Sequence, residues 1–404
     1  MIERFLTKIS KDKISSDRIT SISFEANQYK INNPDKEIIN GTIGMFFDED
    51  ENLLVFEPVG SIYENLKINE ISGYGFLYPS KRFSEGVFNL LDLNQKYKDN
   101  FCCFPSAGGL NAIHHFVHNF IDEDTSTFAL GPYWGPYENI LGELGYKINL
   151  IPLKPETKFY MDETLLFDII SKTDKKKIII LLNIPCQNPT GYTPALDELE
   201  NIKNSIIKLK NAGREILIFF DIVYIHYSKL NINTIFKIFS DFPFFFNFSS
   251  SKTLSLYGFR AGAICFYSKD KSDKDIFTEK MAFSARASTG SINNLGYKII
   301  EKFADKTQVE KIRVYWNFVI QTLKNRSKKF LRILEDNSFK YFRYDEGFFI
   351  SFFHDNLKID ELNNLFKKNG IFFVPQIDSI RVAISSIPSF KIDYFEDKIK
   401  KILN

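Results

Sequence analysis

The stretch "NFSSSKTLSLYGFRAGA", residues 247–263, sets Lys252 directly after three serines and Arg260 eight positions further on. It follows on the apolar run "FPFFF", so an ammonium, hydroxyls at Ser249 and Ser251 and a guanidinium are delivered to the end of a buried strand. Two other apolar runs end in polarity of different kinds. "KIIILLNIPCQNPTG" brings Asn188 beside a Pro-Thr-Gly turn, and "EILIFFDIVY" brings Asp221 and Tyr224. In open α/β sheets, ligands bind at the carboxyl ends of the strands. An amide, a carboxylate, a phenol and an amine gathered on one sheet edge suit a polyfunctional cofactor. Each motif alone has a plainer reading. Asn-Pro-Thr-Gly is a good turn, an aspartate after a strand caps a helix or faces water, and Ser-Ser-Ser-Lys is an exposed loop.

The elements that must position these groups are legible in the periodicity. "KIIILLNIP" (177–185), "EILIFFDIVY" (215–224), "DFPFFFNFSSS" (241–251) and "AGAICFY" (261–267) are unbroken apolar runs, the pattern of strands covered on both faces in a parallel sheet. Helical stretches separate them, such as "ALDELENIKNSIIKLKNAG" (195–213), which stops at Gly213. The alternation from about residue 95 to 270 predicts an α/β fold with a mainly parallel sheet. Beyond it, one long amphipathic helix over 309–336 precedes the strands "FRYDEGFFISFF" and "IDSIRVAISSI". That α+β layout predicts a second, smaller domain from near residue 310, with the first fifty or so residues packed against it.

A chain of 404 residues exceeds what a single core usually reaches, roughly 250–300 residues. Its net charge of +2 argues against a dedicated nucleic-acid binder. Lys175, Lys176 and Lys177 read as a solvated strand entrance. The four cysteines, with Cys102 and Cys103 adjacent, make no disulfide framework at this length. The opening run "MIERFLTKISKDKISSDR" is broken by charges and is no secretory leader. No apolar run reaches the roughly 20 residues of a membrane span. The expectation is a soluble, cytoplasmic protein. His114, His115 and His118 lie on one helical run, but no carboxylate or cysteine joins them at close spacing, so no metal is expected. No G-x-G-x-x-G follows the early strands, which disfavours a dinucleotide-binding dehydrogenase.

Taken together, Asn-Pro-Thr-Gly, Asp-x-x-Tyr, Ser-x-Ser-Lys and an arginine eight residues later resemble, in order and kind, the class I/II aminotransferases. These are fold-type I enzymes that use pyridoxal 5′-phosphate. The resemblance is nearest to the aspartate aminotransferase subgroup, and it implies a seven-stranded, mainly parallel sheet in a large domain over 50–310. The small domain is then built from residues 1–49 and 311–404. It further implies that Lys252 bonds covalently to the cofactor aldehyde and later moves a proton. Asp221 would hold the proton on the pyridine nitrogen, while Asn188 and Tyr224 would bond the ring's phenolate oxygen. Ser249, Ser251 and Arg260 would bind the phosphate.

Upstream, "FPSAGGLNAIHHF" places small residues before a helical run, where free backbone N–H groups receive an anion. Ser106, Ala107 and Gly108 match the family's phosphate loop, and Trp134 matches the residue that stacks on the ring. Arg381 in "DSIRVAISS" matches the clamp on the substrate's α-carboxylate. Gly44 and Phe349 match segments beside the substrate. Tyr74, with Tyr78 as a substitute, matches the tyrosine that reaches a neighbouring subunit's phosphate. Arg286, 34 residues after Lys252, matches the arginine that crosses to the other subunit and binds a distal carboxylate. The implied protein is a homodimer with shared active sites, moving amino groups between aspartate or glutamate and 2-oxo acids. Two departures keep aromatic donors open: Tyr137 stands where many aspartate enzymes have histidine, and no Asn-Pro-Pro follows Arg286. A carbon–sulfur β-lyase retains the same lysine, aspartate and arginine, whereas a silent regulator of this fold would need an added DNA-binding domain for which there is no room before residue 40.

Overall fold

The computed structural model describes residues 2–11, 13, 18–153, 161 and 164–403. Residues 1, 12 and 14–17 of the opening run therefore lie outside the described residues. Near the start, β1 (Ile39–Asn40) reaches across the chain and pairs in parallel with β11 (Ile371–Phe372). Seven strands then form the main sheet: β2 (Phe101–Ser106), β3 (Thr125–Gly131), β4 (Ile148–Pro152), β5 (Lys177–Asn183), β6 (Glu215–Asp221), β7 (Phe244–Ser249) and β8 (Gly262–Tyr267). Their spatial order is β2-β8-β7-β6-β5-β3-β4. All run in one direction except β8, which is antiparallel to both its neighbours. The four strands read from the sequence are present but shorter. The first two end where their polar residues arrive, at Asn183 and Asp221, since such side chains need partners that a two-face-covered strand does not offer.

Alternation sorts the phenylalanines between two cores. Phe244 and Phe246 enter the core on one face of the sheet, and Phe245 the core on the other. The helix Leu196–Asn211 buries Leu199, Ile202, Ile206 and Leu209 at helical spacing, and Gly213, at φ +86°, follows its end.

A smaller antiparallel sheet has the order β12-β13-β10-β9, built from β9 (Lys340–Tyr341), β10 (Phe349–Phe353), β12 (Val374–Pro375) and β13 (Ile380–Ala383). Arg381 sits in β13, opposite Ser351 on one side and Val374 on the other. The two sheets are joined by the helix Lys306–Asp336 of 31 residues, about 46 Å long at 1.5 Å per residue. Asp305 caps it by accepting from the Thr307 N–H. Its first half stacks Tyr315 on Phe56, and its second half stacks Phe330 on Phe395. No helix among the described residues is long and apolar enough to cross a membrane.

Arg326 lies on this helix and is fully buried. Its guanidinium donates to Glu49 Oε1 at 2.7 and 3.0 Å, to the Phe47 carbonyl at 2.9 Å and to the Ser385 carbonyl at 3.0 Å. It thereby ties the N-terminal segment to the turn after β13. Burial alone would raise the Glu49 carboxyl, but the Ser389 N–H and Arg326 outweigh it and hold Glu49 below its ordinary range. Arg326→Met keeps the stem and strips every donor. Breaking such a tie is expected to lower stability by about 3 kcal/mol, seen as an earlier midpoint in urea unfolding. In the parent protein the Glu49 contribution is present above the ordinary carboxylate range and is lost as pH falls through it. The gap between variant and parent should therefore narrow in acid.

Candidate active site

The carboxyl ends of β5, β6 and β7 open on a cavity of about 400 Å³. Of the residues singled out from the sequence, Gly44, Trp134, Asn188, Asp221, Tyr224, Ser249, Ser251, Lys252, Arg260, Phe349 and Arg381 line it. They come from both sheets and from the segment after β1, so the cavity exists only because the chain folds back on itself.

Lys252 lies in the single helical turn Ser250–Thr253 that follows β7. Its Nζ donates to the Gly44 carbonyl and is enclosed by the rings of Tyr257, Tyr224 and Phe348, whose centroids are 4.9, 5.4 and 5.6 Å away. Burial, then the like charges of Arg381 and Arg260, push the amine down to about 7. At neutral pH the uncharged form of Nζ is therefore far more accessible than in a free lysine, whose pKa is about 10.4.

Asp221 ends β6 and is held from both sides. Its Oδ1 accepts from Asn247 Nδ2 at 2.8 Å and its Oδ2 from the Tyr137 hydroxyl at 2.6 Å. Burial raises its pKa, while these two donors and the Val223 N–H oppose the rise. Asn247 is itself oriented, because its Oδ1 accepts from the Ile222 N–H at 3.0 Å. On the other flank, Asn183 stands in register with Asp221 and donates to the Asp221 carbonyl at 3.0 Å. Asn183 also accepts from the Asn188 N–H at 2.7 Å. A polar rung thus crosses the ends of three adjacent strands.

Arg381 is buried, with its guanidinium 4.7 Å from the centre of the Phe349 ring. It donates to Asn188 Oδ1 at 3.2 Å and to the Thr42 carbonyl. Gly44 must be glycine here, since a Cβ would sit 2.4 Å from Phe349 Cζ.

A second cationic corner forms around Arg260. This residue adopts φ +47°, a conformation unfavourable for a side chain and typical of functional sites. It donates to Ser251 Oγ at 3.3 Å and to the Tyr257 and Ala107 carbonyls at 3.1 and 3.4 Å. Gly262 faces Ser106 on one side and Ser249 on the other. A Cβ on it would meet the Phe248 carbonyl oxygen at 2.4 Å. Ser106, Ala107 and Gly108 back this corner without lining the cavity. The Ser106 hydroxyl turns into its own loop and donates to the Gly108 carbonyl at 3.1 Å, and the Ala107 N–H is taken by Asn111 at 2.9 Å. The start of the helix Gly108–Phe120 instead shows Gly109 and Leu110 to the cavity.

Tyr74 is 99% exposed, and Arg286, on the helix Lys271–Ser288, is also exposed. Neither lines the cavity of its own chain. His114 and His118 stack with centroids 3.9 Å apart, and His115 shares a hydrogen bond with Ser284 at 2.8 Å. Among the described residues no three such groups are placed to hold a metal ion.

Asn183, Asn247 and Tyr257 were not singled out from the sequence. The two asparagines did leave a signal, each being a lone amide at the end of an apolar run. Tyr257 left none; its ring covers Lys252 and its hydroxyl accepts from the Phe46 N–H at 3.0 Å.

Comparison with known proteins agrees with this architecture. The family description "Aminotransferase class I and II" matches residues 58–399. The cytoplasmic aspartate aminotransferase of Schizosaccharomyces pombe is 22% identical over 250 residues, which span 59% of this chain and 59% of that enzyme. An aminotransferase from Anaerococcus prevotii superposes with a TM-score of 0.87 over 99% of both chains at 22% identity. The aspartate aminotransferase of Thermus thermophilus, solved with maleate, gives 0.81 over 98% of this chain and 99% of that one, at 14% identity. The chain therefore belongs to the class I and II aminotransferases, enzymes whose cofactor is pyridoxal 5′-phosphate.

Proposed function

We propose that this protein is a homodimeric transaminase that moves the amino group between aspartate or glutamate and 2-oxo acids, with pyridoxal 5′-phosphate bonded to Lys252. The observation that carries the reading is the buried amine of Lys252, depressed to about 7 and walled into one cavity with Asp221 and Arg381. The donor set fits the cofactor group by group. A neutral amine suits an aldehyde, a buried carboxylate suits a pyridine N–H, and Arg260 with Ser249 and Ser251 suits a phosphate dianion. The glycine at 108 fits too, since a Cβ there would press on Arg260 Nη2 at 2.8 Å. When bound, the cofactor supplies an electron-withdrawing ring.

The chain's own residues do the rest. Arg381 holds the α-carboxylate and so turns one bond of the substrate's α-carbon toward Lys252. The Lys252 amine, released when the substrate's amino group takes its place on the cofactor, would then carry the proton from that carbon to the cofactor's former aldehyde carbon, for which a pKa near 7 is well matched. Asp221, steadied by Tyr137 and Asn247, keeps a proton on the ring nitrogen, because an adjacent cation favours its charged form. Tyr224 and Asn188, which line the same cavity, would hold the ring's phenolate oxygen, and Trp134 would lie beside the ring.

Arg286 and Tyr74 are assigned to the second copy's cavity, which their exposure and their absence from the lining of their own cavity support. Dicarboxylate preference rests on Arg286, and the maleate held by the Thermus enzyme is a dicarboxylate. A second reading, aromatic donors, is supported by the apolar wall of Ile19, Ile43, Met45, Leu110 and Ile113. The domain limits 50–310 for the large unit, with 1–49 and 311–404 for the small one, are likewise proposed. They are supported by the main sheet lying wholly within 101–267 and the small sheet within 340–383. A cytoplasmic location is the accompanying proposal.

Lys252→Ala should abolish the covalent adduct with pyridoxal phosphate, read by mass spectrometry after borohydride reduction. In the parent apoprotein the rate of adduct formation should rise as pH climbs through about 7 and level off above it; a midpoint near the ordinary lysine range would oppose this assignment. Arg286→Ala should cut kcat/KM for aspartate by about 30-fold or more, the worth of a charged hydrogen-bonded pair. The loss for phenylalanine should be much smaller, and equal losses would leave the aromatic reading alone.

A further inference from the structure

Behind the cavity, the turn that carries Lys252 is held by side chains from two other elements. A helical turn leaves its last carbonyls without partners of its own. Here the Lys252 carbonyl accepts from the Tyr227 hydroxyl at 2.6 Å, and the Thr253 carbonyl accepts from Trp316 Nε1 at 2.8 Å. Trp316 lies on the long joining helix and is 6% exposed. Its ring packs on His226 with centroids 4.2 Å apart. His226 Nε2 faces the Leu90 carbonyl at 2.7 Å, which can only accept, so Nε2 carries the hydrogen. Nδ1 is then the acceptor for the Thr253 hydroxyl, 3.3 Å away. The imidazole thus fixes both the tryptophan ring and the residue after Lys252.

The same helix grips the opposite side of the site. Ten residues beyond Trp316, Arg326 donates to the Ser385 carbonyl, four residues after Arg381. Trp316 and Arg326 are therefore two attachment points about 15 Å apart along one rod. One carries the peptide of the amine and the other the strand end of the guanidinium.

We propose that Trp316 is a positioning residue for Lys252, and that the long helix sets the separation of the Lys252 amine and the Arg381 guanidinium through its two attachment points. The inference rests on the reading of Lys252 as the reacting amine. Loss of the Trp316 hydrogen bond would let the turn relax toward water. Around Nζ stand Arg381, Arg260, Tyr224 and Tyr257; a relaxed turn would carry the amine out of this enclosure.

The test is Trp316→Phe in the full chain, with Tyr227→Phe as an independent second variant. Both keep an aromatic ring and delete one donor. Two readouts are taken: the pH midpoint of adduct formation by the apoprotein with pyridoxal phosphate, and kcat against KM in the loaded enzyme. The expected result is a midpoint moved upward and kcat lowered about 5- to 10-fold, the worth of one hydrogen bond, with KM for the amino acid changed less than kcat. A variant that melts earlier but keeps the parent midpoint and kcat would overturn the proposal, leaving Trp316 a packing residue. Should Trp316→Phe not fold, Arg326→Lys, at the second attachment point of the same helix, decides by the same two readouts. Failure of the parent reading is distinguishable, because then Lys252→Ala would still form the adduct.

Discussion

A lysine amine enclosed by aromatic rings, with the charges of Arg381 and Arg260 acting on it, is costly to hold, and the surrounding structure is organised by it. A depression from the ordinary lysine value to about 7 disfavours the charged form by roughly 5 kcal/mol. That amount is a large part of a typical folding free energy, so it must be offset by packing elsewhere. The offset is visible in the two apolar cores that cover the main sheet on both faces. It is visible also in the satisfied carbonyls of the Lys252 turn. What the fold obtains in return is an amine that is nucleophilic at neutral pH.

The carboxylate at Asp221 obeys the same rule with opposite sign. Burial works against its charge, and donors from β7 and from the residue three after Trp134 restore part of what burial removes. Tyr137 stands where the family resemblance anticipates histidine. A phenol whose own pKa is raised by burial and by the neighbouring carboxylate remains a donor across the working range, where an imidazole would titrate. The substitution therefore keeps the hydrogen bond and removes a proton equilibrium.

Much of this was legible in the residues. Unbroken runs of Ile, Leu and Phe fitted strands covered on both faces, and in a parallel sheet the polar groups at their ends fall on one edge because the strands share a direction. Arg381 was legible only through the family resemblance, because an arginine in a strand is by itself usually exposed or paired. Other features could not be read. That the Ser106 hydroxyl turns inward depends on a local competition with the Gly108 carbonyl. The grip of Trp316 on Thr253 joins residues 63 apart in the chain, and nothing in local periodicity encodes a contact of that range. Arg326 read as one more charge on an amphipathic helix, and only the return of residues 47–49 and 385 to the same spot makes it a core residue.

The one reversed strand, β8, has a consequence for how this protein can vary. Because it runs against its neighbours, it meets the cavity with its beginning, and Gly262 stands shoulder to shoulder with Ser106 and Ser249. Three separate stretches of chain share that seam, and the space between them is less than a methyl group wide. A Cβ at this crossing would press at once on the Phe248 carbonyl oxygen at 2.4 Å and on the Gly108 backbone at 3.0 Å. Any side chain there would shift three donor-bearing segments in a single step.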